Sequence, residues 1–506
     1  MKTTRILALL MALATLFAFA GCSAKMDAAG DLVGNQAPSY GNVPEAEQDA
    51  VVGDGNEELP PENPFVNTVD QNVSTFSADV DTASYSYFRK LVNQSYSLKQ
   101  LKNSGSAFRT EEFINYFRYT SAAPAENELF GVGTEIIPCP WNSANVLMRL
   151  TLQAEQAVPP TGNNLVFLID VSGSMNSADK LPLLQRTFSH LVGNLTAHDV
   201  VSIVTYSGNE RVVLQGCPGN ESARIMEAIN SLTASGSTNG EAGLSEAYRL
   251  AETYRIEGGN NRIIMASDGD LNVGISSASQ LKSYVETKRD QGVYLSILGF
   301  GTGNYRDSNM EALADNGNGV YYYIDGDSEA EKVFGTDLLG TLYTVAQDVK
   351  LQISFDENYV AAYRLIGYEN RLLNQEDFED DTKDAGEVGA GHQVTVCYEL
   401  TLKEGARTSE DAWMKLAVRY KDPGQTLSQL NEYSIGASSY TETVSQDMAF
   451  LSALIRTVMI LRQSQYLNDV TFESVIADLN ALDLDASPDR AEFRRLLQKL
   501  IPVGDA

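Results

Sequence analysis

The chain has 506 residues, 43% of them hydrophobic, with 67 acidic against 37 basic side chains and a formal charge of −30. That length predicts more than one domain with ordinary cores, and the negative field excludes nucleic acid as a partner. Only three histidines occur, His190, His198 and His392, with no HExxH arrangement and no G-x-S-x-G elbow, so zinc and serine hydrolase chemistry have no foothold. The chain reads as a non-enzyme, with carboxylate chemistry the one catalytic route left open.

At the amino terminus Lys2 and Arg5 precede an apolar stretch from Ile6 to Ala20, short for a membrane span and shaped like a signal peptide. It ends in Phe19-Ala20-Gly21-Cys22, which resembles the bacterial lipobox, with Phe19 where an aliphatic residue is usual. The resemblance implies cleavage and lipidation at Cys22, and hence a lipid-anchored extracytoplasmic protein of the bacterial envelope, at an outer membrane or the cell surface. Ser23 after the cysteine gives no signal for inner-membrane retention. Residues 23–73 are acidic, rich in Gly, Pro, Asn and Glu, and nearly without apolar periodicity, which predicts a disordered tether.

Residues 74–161 form a helical and β region. STFSADVDTASYSYFRKLVNQ and FRTEEFINYFRY are predicted as amphipathic helices, their aromatics Phe88, Phe113 and Phe117 facing a core. Val146, Met148, Leu150 and Leu152 then alternate with more polar neighbours, predicting a strand with one buried face.

From 162 to 345 apolar strand patterns alternate with helical ones. FLID, VVSIVTY, RVVLQG, RIIMAS, VYLSILGF and GVYYYID are the predicted strands, with Leu181, Leu184, Phe188, Leu191 and Leu195 at helical spacing after the first. Ser-Gly-Asn-Glu between the second and third predicts a hairpin and so an antiparallel edge. The alternation predicts a doubly wound, mostly parallel α/β sheet with helices on both faces. In FLIDVSGSM a buried run closes on Asp170 and is followed by Ser172 and Ser174. GSTNGE carries Ser237 and Thr238, and RIIMASDGD closes on Asp268. Asp170 and Asp268 close strands, and the Ser237 and Thr238 loop lies between two predicted helices, so that all converge at the sheet edge where open α/β sheets hold ligands. Few carboxylates among several hydroxyls suit a small hard cation better than zinc. Gly299 and Gly301 flank Phe300 without the lysine of a phosphate loop and are taken as a strand-end turn.

The order D-x-S-x-S, then Thr, then Asp resembles the metal-ion-dependent adhesion site of the von Willebrand factor type A domain. The likeness implies a Rossmann-like fold. It further implies a divalent cation, Mg²⁺ with Mn²⁺ or Ca²⁺ as alternatives, held by Asp170, Ser172, Ser174, Thr238 and Asp268, with Ser237, Asp270 and Asn272 supporting them. In that family an acidic group of a partner completes the metal shell. Phrases on either side, among them RLIGYENRLLNQEDF and DAGEVGAGHQVTVCYEL, resemble a bacterial lipoprotein family that carries such a domain.

In 346–440 alternation returns at Leu351, Ile353 and Phe355, at Val394 to Leu402 and at Met414 to Tyr420. These runs and the one at 146–152 predict a single β-sandwich drawn from both sides of the chain, into which the α/β domain is inserted. Two separate small β regions are the alternative. Residues 441–506 turn helical, with starts marked by Ser445, Thr471 and Ser487-Pro488. With Cys22 lipidated, Cys139, Cys217 and Cys397 remain, and three thiols cannot all pair. Cys139 and Cys397 lie in the two halves of the proposed sandwich, where they could meet; the favoured expectation is unpaired buried core residues.

Functionally, the resemblances imply a binding protein that holds a protein or glycan partner through its cation. The alternative is an envelope assembly or remodelling scaffold that recruits a multiprotein machine.

Overall fold

Three sheets organise the chain, two antiparallel and one mostly parallel. The computed structural model describes residues 60–501 apart from 106–107, 127, 157–160, 237–239, 270–277, 302–306, 338–339 and 341. The leader, Cys22 and most of the tether therefore lie outside the described residues.

The chain opens with β1 (Val66–Asn67) and β2 (Val73–Ser77), then α1 (Ala83–Asn93), α2 (Leu98–Asn103) and α3 (Thr110–Tyr116), then β3 (Phe130–Pro138) and β4 (Val146–Ala154). The central part runs through β5 (Asn163–Asp170), α4 (Leu181–Val192), β6 (Val200–Tyr206), β7 (Glu210–Pro218), α5 (Ser222–Asn230) and α6 (Glu241–Thr253). It continues through β8 (Asn260–Ser267), α7 (Ala278–Asp290), β9 (Tyr294–Phe300), α8 (Asp307–Asn316), β10 (Tyr321–Ile324) and α9 (Asp327–Glu331). Six strands follow, β11 (Thr344–Phe355), β12 (Val360–Ile366), β13 (Gly386–Gly389), β14 (Gln393–Leu402), β15 (Ala412–Lys421) and β16 (Gln429–Gly436). The described chain closes with α10 (Gln446–Leu461), α11 (Phe472–Asn480) and α12 (Pro488–Lys499).

The central sheet has the order β10-β9-β8-β5-β6-β7, parallel except for the antiparallel edge β7 that pairs with β6. Its strands are apolar on both faces because helices cover both. Leu165, Phe167 and Ile169 pack toward α4 and α5, and Val166 and Leu168 toward α6 and α8.

The other two sheets form one sandwich. β4 pairs with β14 and β2 with β11, so strands from before and after the central domain share each sheet. One core, with Met148 and Leu150 from one sheet and Leu351, Ile353 and Trp413 from the other, fills the space between them. The central domain leaves the sandwich and returns beside a single segment. Gly391 N–H donates to the Glu155 carbonyl (2.9 Å) on the way in, and Ala390 N–H to the Tyr343 carbonyl (2.8 Å) on the way out.

Two details depart from expectation. Ser74 to Ser77 belongs to a strand, with the helix beginning only at Ala83, because β2 gains its hydrogen bonds from β11 rather than from its own neighbours. β4 and β14 are buried on both faces, since α1, α3 and α10 lay an aromatic and aliphatic layer over the outer face, reaching Leu147 and Cys397. Ser445 caps α10 by accepting from Met448 N–H (3.1 Å), and Thr471 caps α11 by accepting from Ser474 N–H (3.2 Å). Cys139, Cys217 and Cys397 are free and buried.

Candidate metal centre

β5 is flanked by β6 on one side and β8 on the other, so the chain reverses direction across the sheet at the carboxyl ends of β5 and β8. Such a reversal opens a crevice. Parallel register places Asp170 beside Tyr206 of β6 and Ile169 beside Ala266 of β8, so that Asp170 and Asp268 emerge at the same edge. The peptide after Asp170 turns sharply. Asp170 Oδ1 accepts from Ser172 N–H (2.7 Å), and Gly173 to Asn176 form a 3₁₀ turn that brings Ser172 Oγ to 2.9 Å from Ser174 Oγ. Ser235 N–H donates to the Val171 carbonyl (2.7 Å) and Gly173 N–H to the Gly236 carbonyl (3.1 Å). These bonds anchor the backbone leading into the Ser237 and Thr238 loop against this turn. Ser237, Thr238, Asp270 and Asn272 themselves lie outside the described residues.

Asp170 is fully buried, and burial pushes its carboxyl up to about 6, opposed by the Ser172 amide and hydroxyl and reinforced by the negative charge of Asp268. The Tyr206 hydroxyl lies beside it and, like the Ser172 hydroxyl, draws the value down, though outside the geometry of a full hydrogen bond. Asp170 Oδ2 and Asp268 Oδ1 are buried oxygens with no hydrogen-bond partner among the described residues. Unpaired buried carboxylate oxygens carry a desolvation cost, and a hard cation is the ligand chemistry that removes it. Two such atoms beside two mutually bonded hydroxyls thus fit a divalent cation.

The turn is tied to neighbouring elements by two lysines. Lys180 Nζ donates to Asp268 Oδ2 (2.7 Å) and to the Ser174 carbonyl (3.0 Å). Lys90, on α1, donates to Asp179 Oδ2 (2.9 Å), whose other oxygen accepts from Ser177 Oγ (2.6 Å). Neither lysine was singled out from the sequence. The position of Lys180 at the start of the helix after D-x-S-x-S is the signal that could have found it.

A second carboxylate group, Asp79, Asp81 and Glu311, is also buried and close enough to share an ion. Arg371 already ties it together, donating to Asp79 (3.1 Å), Asp81 (3.5 Å), Glu311 (2.9 Å) and Asp315 (2.6 Å), while Arg109 contacts Glu311 as well; burial and the neighbouring carboxylates still hold Asp81 well above the usual carboxylate range.

The family model described as von Willebrand factor type A domain matches residues 164–336, and one described as von Willebrand factor matches 57–149. With the doubly wound sheet, these matches define a protein built around a type A domain. Residues 340–501 match the model described as uncharacterized protein YfbK, C-terminal. A relative from Escherichia coli (strain K12), uncharacterized protein YfbK, is 39% identical over 472 residues, which is 88% of this chain and 80% of the relative. The chain belongs to the YfbK family. Inter-alpha-trypsin inhibitor heavy chain H3 of Homo sapiens is 26% identical over 274 residues, half of this chain but only 30% of the heavy chain. A solved von Willebrand factor type A protein from Catenulispora acidiphila aligns over 67% of this chain and 80% of its own, at 18% identity and a TM-score of 0.39.

Proposed function

We propose that the protein is a lipid-anchored envelope protein that binds, rather than transforms, its partner, gripping an acidic group on a protein or glycan through a divalent cation. Type A domains generally serve protein interaction or adhesion, and the finer assignment rests on one observation, two buried carboxylate oxygens that have no partner among the described residues and lie by the paired serine hydroxyls. Asp170, Ser172, Ser174 and Asp268, with Thr238, would hold the ion, Mg²⁺ being the hard cation best suited to this set and Mn²⁺ or Ca²⁺ the alternatives. Few charges among neutral ligands leave the ion partly unneutralised, and that residual charge is what attracts a partner carboxylate. The acyl chains at Cys22 would supply membrane attachment; no helix among the described residues is long and apolar enough to cross a membrane.

Affinity capture from detergent-solubilised envelopes, with Mg²⁺ and then with chelator, tests the reading. Partners should be retained with Mg²⁺ and released by chelator, and the wild type should bind Mg²⁺ or Mn²⁺ by titration calorimetry. No metal uptake, or retention indifferent to chelator, counts against it. The capture also separates adhesion from a scaffolding role, because a scaffold would retain envelope proteins of the same cell.

A further inference from the structure

Lys180 precedes α4, yet its side chain turns back over the D-x-S-x-S turn instead of toward solvent. Its ammonium donates to Asp268 Oδ2 (2.7 Å) and to the Ser174 carbonyl (3.0 Å), with the lysine side chain 14% exposed and the aspartate side chain fully buried. Space for the stem is kept by Gly301, which has a φ of +79° and lies so close that a Cβ there would collide with Lys180 Cε. Tyr323 Oη holds this glycine by donating to its carbonyl. The chain thus reserves a path that delivers a positive charge onto one of the two carboxylates of the candidate metal centre.

The charge count then decides what the lysine does. Asp170 and Asp268 bring two negative charges, and the ammonium offsets one. A divalent cation arriving with the lysine in place meets one uncompensated negative charge instead of two, and it must share Asp268 with a donor that has taken one of its oxygens. Resting on the metal-site reading above, we infer that Lys180 is a tethered cation that competes with the divalent metal for Asp268, holding metal affinity below what the ligand set alone would give. The same bond satisfies a buried carboxylate when metal is scarce, so the lysine also steadies the metal-free fold.

The experiment uses the full chain in detergent, with Mn²⁺ alone as the probe, read by titration calorimetry and by thermal unfolding in chelator. Lys180→Met keeps most of the apolar stem and removes the charge. It should bind Mn²⁺ roughly tenfold more tightly than wild type, the size expected for removing one like charge a few ångströms from a divalent ion in a partly screened site. Its unfolding temperature in chelator should fall. Lys180→Arg keeps the charge and should stay near the wild-type affinity. Gly301→Ala leaves the lysine in the sequence but blocks its path, and should also tighten binding, which gives an independent test should Lys180→Met fold poorly. Wild type that binds Mn²⁺ while both Lys180→Met and Gly301→Ala bind it equally or more weakly overturns the competition, making the lysine an aid to the site. Absence of Mn²⁺ binding in wild type and all variants overturns the metal-site reading itself, and binding only in the charge-removed variant supports competition in its strongest form.

Discussion

Two of the buried carboxylate groups among the described residues differ in what faces them. Asp79 and Asp81 follow β2, Glu311 lies on α8, and Arg371 comes from the loop after β12, so one guanidinium joins the sandwich to the inserted domain. Asp170 and Asp268, by contrast, have two serine hydroxyls nearby and one lysine, and each keeps an oxygen without a partner among the described residues. Acidity and burial do not separate a junction from a candidate binding site, since both groups share them. The supply of donors does. An arginine offers five N–H groups in a fixed fork and can saturate a cluster, whereas a single ammonium with neutral hydroxyls leaves acceptor capacity for an ion.

The largest test of this contrast is Arg371→Ala. It leaves several buried carboxylates without their counter-ion, which should cost about 3–5 kcal/mol in denaturant unfolding. Arg371→Lys should recover only part of that, because an ammonium cannot span all of its carboxylate partners. Should Mg²⁺ restore the stability of Arg371→Ala, the two groups would be interchangeable and the contrast would break.

Acid provides the next test, and it needs one group removed from the background. His392 is buried against Gly340, and burial pushes its imidazole down to about 4, opposed by Asp337 and reinforced by Arg118. A base whose folded value lies below its unfolded one loses stability as pH falls, because the unfolded chain takes up the proton first. The penalty is absent above about pH 6.5, grows as pH falls toward 4, and reaches about 3 kcal/mol. The difference in unfolding free energy between wild type and His392→Gln should therefore move in favour of the variant across that window and stay flat above it. A flat difference throughout would mean that the imidazole is not held neutral. In the His392→Gln background, the remaining acid response includes the carboxylates that burial raises, Asp170, Glu111 and Asp384 among them.

What was legible in the sequence was local. Apolar runs that stop at Asp170 and at Asp268, Ser445 ahead of an apolar stretch and Ser-Gly-Asn-Glu between two β runs each carry their meaning within a few residues, and each appears in the structure at a strand end, a helix cap or the β6-β7 turn. What stayed hidden was set at long range. The strand at Val73–Ser77 draws its pairing from residues about 280 positions later, so its hydroxyl-rich sequence gave no strand alternation to follow. Arg149 and Thr151 looked like an exposed face of β4 but are buried under helices from both ends of the chain. Arg371 and Lys180 gain their roles from side-chain reach, which no periodicity records.

At the candidate metal centre, Asp170→Ala should abolish metal binding, since it removes one of the two charged ligands proposed there. If the ion binds only the folded chain, saturation at a hundredfold over its dissociation constant should stabilise wild type by about 2.7 kcal/mol, and this variant should lose that increment. In chelator the variant should match or exceed wild type, because a desolvated carboxylate and its repulsion with Asp268 have been removed. Loss of stability in chelator as large as the lost increment would instead make Asp170 a structural residue like those around Arg371.

The smallest effect belongs to a hydroxyl. Ser172 Oγ meets Ser174 Oγ and lies beside Asp170, whose upward shift it opposes, but its backbone N–H, which holds Asp170 Oδ1, survives truncation of the side chain. Ser172→Ala should therefore leave stability in chelator within about 0.5 kcal/mol of wild type. As a neutral ligand whose place water can take, the hydroxyl shapes the metal shell without supplying its charge, so metal affinity should fall by much less than in Asp170→Ala. The grip on an acidic partner should suffer more than the metal does, because an added water changes the geometry of the shell that the partner completes. Titration calorimetry with Mn²⁺ and capture with Mg²⁺ on the same variant separate the two. If Ser172→Ala loses metal as completely as Asp170→Ala, charge is not what distinguishes the ligands, and the division between charged holders and neutral shapers at this sheet edge is wrong.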